Sequence, residues 1–165
     1  MDEQRMQTQE NVFAGIVGAF LFSLAGGVLW YLLYQVGFLA GISGAVGVFA
    51  AVRGYSFFAK GQSIKGVVIS IVIAVLVLVI AWYLCLATDV YNAHREWYET
   101  GMLDYRLSYF DAVKYSYTYL SDMEILKAYL RDLGVGLALC AVASFSSVKT
   151  YFKNAKQAAP EEVKE

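Results

Sequence analysis

From Val12 to Val52 the chain carries no Lys, Arg, Asp or Glu, and it carries none again from Gly66 to Thr88. A helix in water needs a polar stripe toward solvent, and these stretches have none. About 20 apolar residues suffice to cross about 30 Å of hydrocarbon. The first run is about twice that length, so it is expected to fold back on itself. Gln35-Val36-Gly37 lies near its middle, and a polar residue followed by glycine favours a turn. The pattern therefore predicts span one over 12–36 and span two over 38–59. A polar loop from Lys60 to Lys65 follows, then span three over 66–87. The centre of span three, Ile69 to Ile80, is rich in β-branched residues and in water could form a buried strand. Its length and lack of charge favour a membrane helix, because only helices and closed barrels satisfy the backbone in lipid.

The segment 89–132 is polar and tyrosine-rich and is expected to lie outside the bilayer. Within it, Ser108 followed by Asp111 has the form of a capping box, with an acid in place of the usual Glu or Gln. Phe110, Val113, Tyr117 and Leu120 then fall at helical spacing, which predicts a short amphipathic helix. Val113, Tyr115, Tyr117 and Tyr119 also alternate as a strand would; the helix is the preferred reading. Span four is predicted over 133–152, with Lys149 reaching back to the headgroups. The tails are 1–11 and 153–165, and the second, which is charged and holds Pro160, is expected to be disordered. The fold class expected is an all-α polytopic membrane bundle: four transmembrane helices plus a short amphipathic helix between the third and fourth.

Composition sharpens this picture. The 165 residues are 59% hydrophobic and 16% charged, against about 45–50% and about 25% in soluble domains. A net charge of −1 offers no general attraction to nucleic acid. The leader MDEQRMQTQE is acidic, whereas a secretory signal starts positive, so the first helix is expected to remain uncleaved. Four spans put both termini on one side with Arg5, Arg53, Lys60, Lys65, Lys149, Lys153, Lys156 and Lys164. The other side carries Arg95, Arg106, Lys114, Lys127 and Arg131 among eight acids. Lys- and Arg-rich loops stay in the cytoplasm, so both termini are expected there. Trp30, Tyr31, Tyr34, Trp82 and Tyr83 would form the outer aromatic belt, and Tyr55, Phe57, Phe58, Tyr151 and Phe152 the inner one.

Small residues recur at helical spacing. Span one carries Gly15, Ala19, Ser23 and Gly27 four apart, with Gly18 and Gly26 beside them. Span two carries Gly37 and Gly41, with Gly44, Gly47 and Gly54 adding to the stripe. Residues four apart share a helix face, and in lipid close approach rests on packing that small side chains permit. A tight hairpin of spans one and two is the leading expectation. A second stripe around span two leaves room for another copy of the chain, or another subunit, as partner.

Few polar positions could carry chemistry. Arg53 sits inside the end of span two, where its guanidinium would snorkel to headgroups or bind an anionic group. Asp89 ends span three and Asp132 begins span four; they could face each other, with Arg95 and Arg131 as partners. A carboxylate at Asp132 also suits a helix N-terminus. His94 is the single histidine, with no cysteine nearby to complete a zinc site, so neither metal nor cofactor is expected. Cys85 and Cys140 lie in apolar runs and read as packing residues. No nucleophile elbow, phosphate loop or zinc-protease motif occurs.

The segments ENVFAGIVGAFLFSLAGGVLWYLLYQVGFLAGISGAVGVFAAVRGYSFF, IKGVVIS and DLGVGLALCAVASFSSVK resemble a group of uncharacterised four-span proteins of clostridia and related bacteria. Members often follow a zinc-ribbon segment, which these residues lack. The resemblance implies the same span count and a bacterial plasma membrane, and it assigns no activity or functional residue. Three function classes remain open. The first is a non-enzymatic packing or scaffold module, associated with itself or a larger complex. The second is a component of a small-solute transporter, and the third an intramembrane enzyme. The first is favoured by the glycine hairpin and the scarcity of charge in the spans.

Overall fold

A computed structural model describes residues 10–36 and 42–158. Among these residues the structure is helical throughout, with no strand. Helix α1 spans Val12–Gln35, α2 Ile42–Ala59, α3 Ile64–Glu99, α4 Tyr109–Tyr115 and α5 Met123–Ala158, and a 3-10 turn, Ser116–Ser121, joins α4 to α5. Four of them, α1, α2, α3 and α5, are long and apolar enough to cross a membrane. The turn glycines Gly37 and Gly41 lie outside the described residues.

The helix starts are set by local chemistry. Asn11 Oδ1 accepts from the Ala14 N–H at 3.0 Å, and Ser63 Oγ from the Gly66 N–H at 3.0 Å. Ser108 Oγ accepts from the Asp111 N–H at 3.1 Å and donates to the Asp111 carboxylate at 2.7 Å, so the serine caps the helix as expected, while the acid bonds the serine hydroxyl and not the backbone N–H that a capping box would engage. The segment after it is a helix and a 3-10 turn, and the strand alternative is set aside. Ser108→Ala is expected to cost about 1 kcal/mol, the usual worth of an N-cap. Hydrogen exchange should then quicken at Asp111–Tyr115 and leave the long helices unchanged.

Two helices run further than polarity suggested. Helix α3 continues past Ala87 to Glu99, and α5 begins at Met123 rather than Leu133. Polarity marks where a span leaves lipid, but a helix ends only where the backbone is broken. For α3 the break is Gly101, at φ +76°. There the Met102 N–H reaches Trp97 O at 2.8 Å and the Gly101 N–H reaches Tyr98 O at 3.1 Å, the paired bonds of a glycine-terminated helix. For α5 the start is Asp122, whose carboxylate accepts from the Glu124 N–H at 2.8 Å. With 36 residues at about 1.5 Å each, α3 is about 54 Å long, well beyond the hydrocarbon thickness. Asp132 is therefore not near a helix N-terminus; Asp122 and Glu124 hold that position.

Packing follows the small residues. A Cβ on Gly18 would collide with the Gly54 carbonyl oxygen, and one on Gly54 with that of Gly18. Further along, a Cβ on Gly26 would lie 2.5 Å from the Gly47 Cα. The α1–α2 seam is thus backbone against backbone, with Ala19 and Ser23 buried beside it. The Tyr55 ring is wedged between Gly15 of α1 and Gly66 of α3. Gly27 turns to Val77 of α3, and Gly44 to Gly136 and Cys140 of α5. Helix α2 is the most buried of the four, and glycines surround it because it contacts α1, α3 and α5. Among the described residues, Gly44 and Gly54 on two sides of α2 are thus filled by α5 and α1 of the same chain.

Large apolar side chains face outward: Phe13, Phe20 and Val28 on α1, Leu76 and Ile80 on α3, Val142 and Phe145 on α5. This small-inside, large-outside distribution suits lipid. Serines in the spans donate to their own helix: Ser23 to Phe20 O at 2.8 Å, Ser70 to Gly66 O at 2.8 Å and Ser147 to Ala143 O at 2.8 Å. At the end carrying the termini, the Glu10 carboxylate accepts from Ser63 Oγ at 3.0 Å and Asn11 N–H donates to Ala59 O at 3.2 Å. At the opposite end, the last turns of α3, the segment 100–122 and the start of α5 form a cap. Its small core is Leu86, Val90 and Ala112, ringed by Tyr83, Tyr91, Leu107, Tyr119 and Ile125.

Candidate functional site

The polar chemistry gathers where the cap meets the bundle. Asp89 of α3 is half-buried. Tyr34 of α1 donates its hydroxyl to Asp89 Oδ2 at 2.6 Å, and Tyr129 of α5 donates to the same oxygen. One carboxylate thus joins three helices, and each bond is strengthened by its charge. Thr88, next to it, is buried and spends its only proton on Leu84 O at 2.8 Å. A hydroxyl has one donor and two acceptor sites. The Tyr31 and Tyr109 hydroxyls, each 3.3 Å from Thr88 Oγ1, are therefore both donors. Four tyrosines from α1, α4 and α5 converge on two adjacent residues of α3. Trp82 Nε1 donates to Tyr129 O at 2.9 Å, and Tyr83 donates to Val113 O at 2.7 Å.

These aromatics are not a simple belt. Trp30 is fully buried against Gly136, and Tyr31, Tyr34, Trp82 and Tyr83 turn their polar atoms to protein partners. At the other end Tyr55 is buried, whereas Phe57 and Phe152 do face outward. An apolar hollow of about 310 Å³ lies between α1 and α3 at Gly27 and Val77, with Tyr31 and Tyr109 at its edge.

His94 is buried one turn beyond Val90. Its Nδ1 lies 3.0 Å from Val90 O, and a carbonyl only accepts, so Nδ1 carries the proton. Nε2 lies 3.4 Å from the Tyr119 hydroxyl. Burial, and secondarily nearby Tyr105, pushes the Tyr119 phenol up from its ordinary value, which keeps it a donor. The Trp97 ring packs on His94 with centroids 5.2 Å apart.

The expected arginine partners are elsewhere. Arg95 meets Glu99 at 3.7 Å on the exposed side of α3. Arg131 is exposed and forms no ion pair among the described residues, and Asp132 is half-buried on α5. Cys85 and Cys140 are buried free thiols. Among the described residues no three His, Cys, Asp or Glu side chains come together as metal ligands. Arg53 lies apart from all of these, at the terminal end, where it lines a groove of about 330 Å³ between α2 and α5.

Asp89 was legible as a polar residue at a span boundary. Its partners were not, since nothing in a tyrosine's sequence position marks whether it faces headgroups or a carboxylate on another helix. No family model matches the chain, and no curated protein or solved structure matches it.

Proposed function

We infer that the protein is a non-enzymatic four-span module of a bacterial plasma membrane, with both termini in the cytoplasm, that acts as a scaffold or complex subunit by holding a rigid aromatic cap on the outer face. The cap carries the inference. Met102 is 74% exposed, Phe110 78% and Tyr117 59%, all in the segment beyond the membrane-length part of α3. Methionine and aromatic side chains are enriched at protein interfaces, and these three are left exposed outside the membrane-length part of the helices. The Asp89 and Thr88 bonds fix that surface to the bundle, which lowers the ordering cost of docking.

The orientation rests on charge. Among the described residues the terminal end bears Arg53, Lys60, Lys65, Lys149, Lys153 and Lys156, against Arg95, Arg106, Lys114, Lys127 and Arg131 at the cap end, and the side richer in Lys and Arg is the cytoplasmic one. Among the described residues, Gly18, Gly26, Gly44 and Gly54 pack against other helices of the same chain, which favours the cap over that glycine seam as the surface for association.

The test is photocrosslinking in native membranes from a benzophenone amino acid placed at Phe110 or Tyr117, with Leu24 on the lipid face as reference. Discrete protein adducts from both cap positions, with lipid adducts from Leu24, are the expected result. Lipid adducts alone from the cap positions would show that the cap lies on the bilayer and would overturn the reading.

A further inference from the structure

We propose that the groove between α2 and α5 at the terminal end is a binding site for the phosphate headgroup of an anionic phospholipid, with Arg53 as its anchoring cation. Helices α2 and α5 run in the same direction, since Gly44 meets Gly136 and Arg53 lies beside the stretch from Ser147 to Asn154. Gly44 and Gly136 hold the two backbones together in the half nearer the cap. Toward the termini the helices part into the groove of about 330 Å³.

Its walls are ordered by depth. Phe49 and Val52 line the deeper part, and Arg53, Gln62, Thr150 and Asn154 line the mouth. Phe49 is one helical turn, about 6 Å, further into the span than Arg53. Arg53 in turn lies about 9 Å inside the end of α2, within reach of the headgroups for a snorkelling arginine. The Ser56 and Ser147 hydroxyls donate to Val52 O and Ala143 O and leave the mouth to the other donors.

Arg53 makes no ion pair among the described residues, where the single one joins Arg95 to Glu99. Glu10, the one described acid at this end, is engaged by Ser63. A planar guanidinium with five donors and no counter-ion matches a phosphate diester through two parallel bonds. The amides of Gln62 and Asn154 and the Thr150 hydroxyl can serve the glycerol or headgroup oxygens. Phe49 and Val52 offer an acyl chain a continuous apolar path. A free anion in water would gain nothing from that path, and a zwitterionic lipid would bring a cation toward Arg53 and the lysines.

The experiment uses the purified full chain in detergent, with native mass spectrometry and thermal unfolding. Phosphatidylglycerol should be retained and should raise the unfolding midpoint; phosphatidylcholine should do neither. Arg53→Gln should weaken retention about tenfold or more, the size of a single charge-assisted hydrogen bond. Arg53→Lys should recover only part of it. Asn154→Leu provides a second, exposed position. Lys65→Gln makes the same charge change at the same end but away from the groove, and should leave retention as it is. The proposal is overturned if Arg53→Gln and Asn154→Leu both retain phosphatidylglycerol like the parent chain. It is equally overturned if phosphatidylcholine binds as well, or if inorganic phosphate displaces the lipid at equal concentration, which would mark a site for a soluble anion.

Discussion

Gly18→Ala is expected to destabilise the bundle by about 2 kcal/mol or more, although alanine is the better helix former. In a helix interior the exchange alone would stabilise by about 1 kcal/mol. Against this, the added methyl would occupy the position of the Gly54 carbonyl oxygen. That oxygen belongs to a helix backbone and has no rotamer by which to withdraw. Overpacking of this kind costs about 1–3 kcal/mol where neighbours can adjust, and more where they cannot. The two helices must then separate along the whole Gly18–Gly54 and Gly26–Gly47 seam. Gly134→Ala supplies the contrast, because a Cβ there meets nothing within 4 Å. It should be neutral or slightly stabilising. Thermal unfolding in detergent of the two variants measures both signs. A Gly18→Ala protein as stable as Gly134→Ala would refute the close approach of α1 and α2.

Asp89→Ala is expected to cost about 3–5 kcal/mol and to loosen the cap from the bundle. The substitution removes the acceptor for Tyr34 and Tyr129 together. Each hydrogen bond to a charged group is worth about 1.5–3 kcal/mol, and both tyrosines are half-buried. Tyr34→Phe and Tyr129→Phe should each cost less, because each leaves the carboxylate one remaining donor. In combination with Asp89→Ala, the tyrosine substitutions should add little, since residues in one network are not additive. Hydrogen exchange should report the change at two places, the end of α1 and the first turns of α5. If Asp89→Ala altered neither stability nor exchange, the carboxylate would be hydrated rather than bound by the tyrosines.

The sequence carried the spans because their signal is local: a long run without charge has one stable destination in lipid. The Ser108 cap was legible for the same reason, both partners lying within one turn. The α1–α2 seam was legible in kind, through Gly15, Gly18 and Gly26, but not in register. Gly18 against Gly54 is a fact about two helices, and periodicity describes one. The second stripe on α2 was the most instructive. Glycines all the way round admit either an outside partner or a central position in the bundle, and the contact of Gly44 with Gly136 and Cys140 on α5 is one that the periodicity of a single helix does not reveal. The helices run past the span bounds read at Ala87 and Leu133 because hydropathy and helix termination answer to different physics. The clasp at Asp89 was beyond sequence reach. Tyr34 and Tyr129 are separated by most of the chain, and the rule that places tyrosine at interfaces points to headgroups.

The order in which contacts become available follows from where the seam and the clasp sit in the chain. Everything that Gly18, Gly26, Gly47 and Gly54 need is present once the first two helices have left the ribosome and entered the bilayer. Asp89 arrives with the third helix and meets Tyr34, but its second donor, Tyr129, is supplied only by the last. The molecule can therefore be assembled from its N-terminal half outward, with the final insertion event locking the extramembrane portion. A chain interrupted before that event would hold the Asp89 carboxylate with one of its two tyrosine donors in place.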